Sequence, residues 1–111
     1  MKENQLQPLS DAELIARYLA ASGREVGSVW VDELFRRHYE KVVRWCLRVT
    51  RNRDDAYEVA RAIFVNAYRN LESFRGGSSV CTWLYSITRS ECMSFLARSA
   101  EPETRAQTSD E

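Results

Sequence analysis

The segment RDDAYEVARAIFVNAYRNLESF, residues 53–74, has the most regular apolar pattern in the chain. Its apolar side chains recur every three or four positions, the period that places them on one face of an α-helix. They are Ala56, Val59, Ala60, Ile63, Phe64, Ala67 and Leu71. Asp54 and Asp55, at its start, suit the positive end of a helix dipole, and either could cap the helix. The segment therefore predicts an amphipathic helix with one face in a core.

Two further helices are predicted before this segment. The first begins in LSDAEL, residues 9–14, where Ser10 and Glu13 have the spacing of a capping box. The second extends from about Val29 to Arg51, and Asn52 is expected to end it in a left-handed conformation. Its apolar residues recur at helical spacing, and most of its arginines fall on the other faces.

A fourth helix is expected to follow Ser78 or Ser79, either of which could be its N-cap. The residues expected on its inner face are Leu84, Ile87, Thr88, Cys92, Phe95 and Leu96. The residues predicted for the shared core are Leu34, Phe35, Val42, Ile63, Phe64, Ala67, Leu71, Leu84 and Ile87. Nothing in the sequence alternates as a strand would. We therefore expect an all-α fold, a compact bundle of about four helices over residues 1–98 with its core in 29–98. Residues 99–111 lack apolar periodicity and are expected to form a disordered tail or linker.

The composition limits the class of protein. Of the 111 residues, 44% are hydrophobic and 29% are charged, which is typical of a soluble domain. The apolar runs are far too short to span a membrane, and no signal-peptide pattern is visible, so a cytoplasmic protein without membrane insertion is expected. Cys46, Cys81 and Cys92 lack CxxC pairing and are predicted to be buried reduced thiols, and His38 is predicted to be a helix-face residue. No cofactor or metal is expected.

The charges are segregated although the formal net charge is zero. Within residues 34–53, Glu40 is the only acidic residue. The basic residues there are Arg36, Arg37, Lys41, Arg44, Arg48, Arg51 and Arg53. An acidic helix start follows at once. Such runs of charge are often only the solvated face of a helix. The charge pattern alone favours neither that interpretation nor a binding surface over the other.

The segment FRGGSSVCTWLYSITRS, residues 74–90, separates the last two predicted helices. It passes through two glycines and two serines before it reaches Trp83 and Tyr85. It contains no arrangement typical of a catalytic centre, yet it is too aromatic for an ordinary surface turn.

Three consecutive segments together resemble region 2 of the extracytoplasmic-function (ECF) sigma factors, which are initiation subunits of bacterial RNA polymerase. They are LFRRHYEKVVRWCLRVTRN, RDDAYEVARAIFVNAYRNLESF and FRGGSSVCTWLYSITRS, in that order. The resemblance spans about Leu34 to Arg98, and Leu9–Leu19 is similar to the helix that precedes region 2. It implies a sigma region 2 type of helical bundle.

The resemblance implies that the loop and the start of the fourth helix read the non-template strand of the −10 promoter element. A base extruded from a melted promoter is captured by stacking and by hydrogen bonds to its edge. Residues implied to contact DNA are Phe74, Arg75, Gly76, Gly77, Ser78, Ser79, Thr82, Trp83, Tyr85, Ser86, Arg89 and Ser90. Trp83 has packing as its favoured role, whereas packing and stacking are balanced for Tyr85.

The resemblance also implies that the third helix binds core RNA polymerase, on the clamp coiled coil of its largest subunits. The matching positions are Asp55, Glu58, Arg61, Ala62 and Val65. Family members usually have Gln-Glu where this chain has Arg61-Ala62. This departure puts the affinity for polymerase in doubt, although it does not affect the expected fold.

Two departures concern DNA. Ser86 stands where the family usually has a basic residue, and Ser90 where it usually has asparagine, which reaches further and both donates and accepts. In the family the end of the fourth helix is usually rich in arginine, but here it keeps only Arg98, so fewer phosphates can be neutralised.

The family's second domain, which reads the −35 element, is expected after the linker. We expect the 111 residues to be a segment cut inside that linker, the alternative being a protein without the second domain.

The leading hypothesis is a promoter-recognition domain rather than an enzyme, since no nucleophile–base pair or phosphate loop is evident. The alternative is an interaction-only domain of the same fold, held by an anti-sigma factor or another regulator, with weakened polymerase or DNA binding. A third hypothesis is a helical ligand or metal sensor that uses His38 and the cysteines. The promoter, the inducing signal and the anti-sigma partner cannot be named from the sequence.

Overall fold

A computed structural model of the chain describes residues 6–21, 29–74 and 78–100. These residues form four α-helices and one 3₁₀ turn. The helices are α1 (Asp11–Ala20), α2 (Val29–Thr50), α3 (Arg53–Arg69) and α4 (Val80–Ala100), and the 3₁₀ turn is Leu71–Ser73. The described part of the chain contains no strand. The predicted all-α bundle is confirmed, with helix limits close to those expected from the apolar spacing.

Side chains cap the starts of α1 and α4. In α1 the predicted capping box is present: the Glu13 N–H donates to Ser10 Oγ at 3.1 Å, and the Ser10 N–H donates to Glu13 Oε1 at 2.7 Å. At α4 the Thr82 N–H donates to Ser79 Oγ at 3.1 Å, so Ser79 rather than Ser78 is the N-cap. Each contact satisfies a backbone donor that the first helical turn leaves without a partner.

The junction between α2 and α3 differs from the prediction in two ways. Arg51, not Asn52, takes the left-handed conformation after α2, with a φ of 56°. Asn52 is extended, and its side chain accepts a hydrogen bond from the Asp55 N–H at 2.9 Å. Asn52 therefore caps α3, and the predicted caps Asp54 and Asp55 lie in its first turn. An extended Asn52 reaches the free amides of α3, which a left-handed Asn52 would not do.

The core consists of two clusters that lie at opposite ends of the bundle. One joins α1, the start of α2, the end of α3 and the start of α4. Its buried residues are Leu14, Ile15, Tyr18, Val31, Leu34, Ala67, Leu71, Val80 and Leu84. The other joins the second half of α2, the start of α3 and the middle of α4. Its buried residues are Val42, Cys46, Ala56, Val59, Ala60, Ile63 and Cys92. It follows that α2 and α4 run parallel, with α3 antiparallel to both.

Some predicted core residues are not fully buried. Phe35, Phe64 and Ile87 are partly buried at the edge of the clusters. Phe35 and Phe64 pack against each other, with ring centroids 4.9 Å apart, and leave part of each ring at the surface. Leu96, predicted for the inner face of α4, is 47% exposed because it lies a turn beyond Cys92, the last buried residue of α4.

The predicted linker begins later than expected, since Ser99 and Ala100 still belong to α4. The rest of the predicted tail, residues 101–111, lies outside the described residues. The first helix, α1, ends at Ala20. Among the helices described, none combines the length and the hydropathy needed to cross a membrane.

Candidate functional site

Five of the residues predicted to contact DNA line one open groove on the outer face of α4, with a volume of about 670 Å³. They are Thr82, Tyr85, Ser86, Arg89 and Ser90. Their spacing of three or four residues places them along a single helix face. The same groove continues past Met93, Ser94 and Ala97, which the sequence analysis did not single out. Continuing the same helical spacing by two more turns would have found them.

The groove on α4 offers hydroxyl groups, a cation and an exposed aromatic ring. The Ser86 hydroxyl donates to the Trp83 carbonyl at 2.7 Å, which leaves its oxygen lone pairs directed away from the helix backbone. Tyr85 is 49% exposed. Arg89 makes no ion pair with any carboxylate in the described parts of the chain. Hydrogen-bond donors and acceptors beside a stacking surface suit an unpaired nucleobase, and a free guanidinium suits a phosphate.

Trp83 and Phe74 face the interior instead. Both are partly buried against the cluster that contains Leu71 and Leu84, and their rings meet edge to face with centroids 5.4 Å apart. This geometry favours the packing interpretation of Trp83. Tyr85 instead is half-exposed, which favours the stacking interpretation for this residue.

The predicted loop is only partly described. Arg75, Gly76 and Gly77 lie outside the described residues. Ser78 and Ser79 are exposed, but the Ser79 hydroxyl is engaged at the helix start, where it accepts from the Thr82 N–H and donates to Thr82 Oγ1 at 3.0 Å. Ser79 therefore caps α4, a role that the sequence left open between Ser78 and Ser79.

The residues predicted to bind polymerase share the outer side of α3. Glu58, Arg61, Ala62 and Val65 are exposed, and Asp55 is half-buried. Arg61 and Val65 also line a groove of about 630 Å³ between α2 and α3. The groove is otherwise mainly aromatic and aliphatic: its remaining lining residues are Val31, Asp32, Phe35, Tyr39, Tyr57, Phe64 and Tyr68. The contribution of α2 to this surface was not anticipated, because it depends on which helices pack side by side.

A network of ion pairs joins α1 to the start of α2 and includes Arg36 and Arg37 from the basic run of α2. The Glu33 carboxylate is buried and accepts from Arg36 Nη2 and Arg37 Nε, each at 2.8 Å. Arg37 Nη1 also donates to Asp11 Oδ1 at 3.0 Å, and His38 Nε2 lies 2.8 Å from Asp11 Oδ2. His38, predicted to be a helix-face residue, therefore contacts α1 through Asp11.

These contacts shift two pKa values. Hydrogen bonds from Arg36 and then Arg37 outweigh the effect of burial and lower the pKa of Glu33 to about 2. Burial acts to lower the pKa of Arg37, but the hydrogen bonds to Glu33 and Asp11 outweigh it and raise that pKa. The network keeps both groups charged and is structural, since it lies between the helices.

The three cysteines are free thiols. Cys46 and Cys92 are buried free thiols, and burial raises the pKa of Cys46 to about 12, which keeps it protonated at neutral pH. Cys81 is partly exposed, and Lys41 Nζ lies 3.5 Å from its Sγ. Within residues 6–21, 29–74 and 78–100, no group of three or more His, Cys, Asp or Glu side chains could hold a metal ion.

Comparison with known proteins agrees with the fold and with the sequence resemblance. Residues 34–101 match the Sigma-70 region 2 family. The chain is 34% identical over 68 residues to the RNA polymerase sigma factor YlaC of Bacillus subtilis, covering 61% of this chain and 39% of that protein. It is 33% identical over 89 residues to the ECF RNA polymerase sigma factor SigM of Mycobacterium tuberculosis, covering 80% and 43%. The chain thus spans about two fifths of the length of these relatives. It belongs to the Sigma-70 region 2 family, as a region 2 domain of the ECF sigma factor type.

Proposed function

We propose that this domain acts in transcription initiation: α4 and the loop before it read the non-template strand of a melted −10 element, and α3 binds core RNA polymerase. The observation that carries the DNA part is the open groove on α4, which is lined by five of the side chains that the resemblance implies for DNA contact. The function is one of binding, not of catalysis. The relatives' names, which describe RNA polymerase sigma factors, support the same assignment.

The chemistry of the α4 groove suits a single strand. Tyr85 gives a ring on which a base can stack, and Ser86 and Ser90 give short hydroxyls for a base edge. Among the described residues that line the groove, Arg89 is the only cation. If the domain neutralises about two or three phosphates in all, the logarithm of the association constant (log K) should decrease linearly with the logarithm of the salt concentration, with a slope of roughly −1.4 to −2.

The test begins with a strand of defined sequence. Because the sequence does not name the promoter, a single-stranded oligonucleotide is first selected from a randomised library on the purified domain. Binding of this strand and of a scrambled version is then measured by fluorescence anisotropy. We expect the selected strand to bind more tightly. Equal affinity for the two strands would show that the surface follows phosphate only, and no binding of either would end the DNA part of the proposal.

Two tyrosines provide a matched pair of variants. Tyr85 lies in the α4 groove and is 49% exposed, and Tyr57 lies on α3 and is 47% exposed. Stacking of a base on an aromatic ring contributes about 1–3 kcal/mol, so Tyr85→Ala should weaken strand binding at least about fivefold. Tyr57→Ala removes a similar amount of exposed ring elsewhere and should leave strand binding unchanged.

A second candidate function rests on the groove between α2 and α3. Its wall of Phe35, Tyr39, Phe64 and Val65 is apolar enough to seat a helix from a protein partner. If that partner is an anti-sigma factor or another regulator, the domain could act by interaction alone. Binding to purified core polymerase, with and without the selected strand, separates the two functions. Polymerase binding that becomes tighter in the presence of the strand supports the initiation function. If the domain binds neither polymerase nor the strand, the interaction-only function is supported.

A further inference from the structure

A second, smaller groove lies between α2 and α4, beside the groove on the outer face of α4. Its volume is about 240 Å³. Trp45 of α2 meets Tyr85 of α4 edge to face there, with ring centroids 5.0 Å apart, and Arg48 of α2 and Arg89 of α4 both line it. Tyr85, Arg89 and Met93 line both grooves, so the two are continuous across these three residues.

The side of α2 next to this groove carries cations that have no acidic partner in the part of the chain that the structure describes. Lys41, Arg44 and Arg48 follow one another at three- and four-residue intervals, which places them along one side of α2 at steps of about 4.5 and 6 Å. None of the three, nor Arg89, forms an ion pair with a carboxylate of the described residues. They differ in this from the first cations of α2, which are bound to Glu33.

We propose that Trp45 and Arg48, with Lys41 and Arg44 beside them, form a second nucleic-acid contact that extends the α4 surface onto α2. Arg48 binds a phosphate next to the one held by Arg89. The Trp45–Tyr85 pair gives the strand an aromatic surface wider than Tyr85 alone. This inference rests on the proposed function, since it assigns further residues to the same DNA strand.

Charge and continuity favour nucleic acid over an acidic protein segment as the occupant. A row of regularly spaced cations matches a polyanion with regularly spaced charges, and counterion release then drives the binding. The aromatic pair is placed where the row meets the α4 groove, as expected of a surface that holds phosphates on one side and bases on the other.

The salt dependence of strand binding tests Arg48 directly. Wild type, Arg48→Gln, Arg48→Lys and Arg17→Gln are titrated with the selected strand at a series of salt concentrations. Loss of one phosphate contact should make the slope of log K against log salt shallower by about 0.7, and weaken binding roughly fivefold at 0.1 M salt. Arg48→Lys keeps the charge and should keep the slope. Arg17→Gln removes an exposed arginine of α1, outside both grooves, and should change nothing.

A second measurement uses tryptophan fluorescence. The chain has three tryptophans, so a Trp30→Phe, Trp83→Phe variant leaves Trp45 as the only one. Saturation with the strand should quench its emission. Unchanged emission at saturation, confirmed by anisotropy, would overturn the role of Trp45.

The outcomes separate this inference from the function on which it rests. If wild type binds no strand, the proposed function fails. If wild type binds the selected strand and Arg48→Gln binds it with the wild-type slope, only the α2 contact fails. Loss of poly-glutamate binding in Arg48→Gln, with strand binding unchanged, would assign the surface to an acidic protein segment and overturn the inference. Circular-dichroism melting of each variant ensures that all are compared as folded proteins.

Discussion

Glu33 is a carboxylate that the protein holds in its charged form between α1 and α2. Its pKa in the folded chain is about 2, below the ordinary value of 4.5, because Arg36 and Arg37 bind it. A lowered pKa contributes stability that is complete above pH 4.5 and is lost as the pH falls toward 2. Glu33→Gln should therefore reduce the free energy of unfolding at neutral pH by up to about 3 kcal/mol, measured by urea denaturation.

The pH dependence is the sharper part of this prediction. Wild type and Glu33→Gln should differ most at neutral pH, and the difference should shrink as the pH falls from 4.5 to 2. Glu40→Gln is the control, since Glu40 is exposed on the same helix and should change stability little. A difference between wild type and Glu33→Gln that stays constant over that range would contradict the assigned pKa.

Ile63 and Phe64 are neighbours that differ in burial. Ile63 is fully buried in the second cluster, whereas Phe64 is only partly buried and lines the groove between α2 and α3. Ile63→Ala should cost about 3–4 kcal/mol of unfolding free energy because it leaves a closed cavity. Phe64→Ala should cost roughly half as much, since part of its ring is already exposed to solvent. Equal losses in chemical denaturation would show that the groove closes over Phe64 in solution.

At the scale of the helix, apolar spacing predicted where each helix lies, but not the details of its ends. Periodicity depends on which side of a helix faces the core, so the stripe on α3 could be read directly. The conformations of Arg51 and Asn52 could not, because both a left-handed stop and an N-cap are common places for asparagine. The packing of the next helix decides between the two, and one-residue shifts of this kind are invisible in the apolar pattern.

The start of α4 gives a prediction that separates a helix cap from a DNA contact. Ser79→Ala removes the hydroxyl that accepts from the Thr82 N–H and should cost about 1 kcal/mol of stability. Ser78→Ala is the control, because its hydroxyl makes only a long 3.4 Å contact to the Ser79 carbonyl, and its stability should match wild type. Thermal unfolding measures both. If Ser78→Ala is the less stable variant, the cap has been assigned to the wrong serine.

At the scale of the whole molecule, the sequence predicted the residues that α4 and α3 contribute to the two proposed binding surfaces, but not those that α2 contributes. The residues of α4 predicted to contact DNA and those of α3 predicted to bind polymerase came from the family resemblance. The structure places the α3 group and five of the α4 residues each on one outer helix face, whereas Trp83 packs inward. What could not be predicted is which residues of α2 border each surface, Tyr39 on one and Trp45 with Arg48 on the other. That depends on how the helices are rotated against each other. Glu33 was missed as well, because the apolar spacing of α2 gives no sign that a carboxylate is buried there between Arg36 and Arg37.

The two surfaces share none of the residues that the structure describes. The groove between α2 and α3 holds Arg61, and the grooves beside α4 hold Tyr85 and Arg89. If α3 binds polymerase as proposed, its affinity should therefore be adjustable without changing strand binding by the isolated domain. Arg61 is exposed, and Ala62 beside it is exposed too, so both positions accept polar replacements without disturbing the core.

The double variant Arg61→Gln with Ala62→Glu restores the pair usual in the family and should tighten binding to core polymerase. The expected physical reason is that a cation is removed and an acceptor is added on the surface proposed to meet the clamp. Polymerase binding is measured by pull-down and titration, and strand binding by anisotropy as the control. The variant should bind polymerase more tightly and bind the selected strand as wild type does. Unchanged or weaker polymerase binding would mean that Arg61 and Ala62 are tolerated at that interface, or that α3 meets a different partner there.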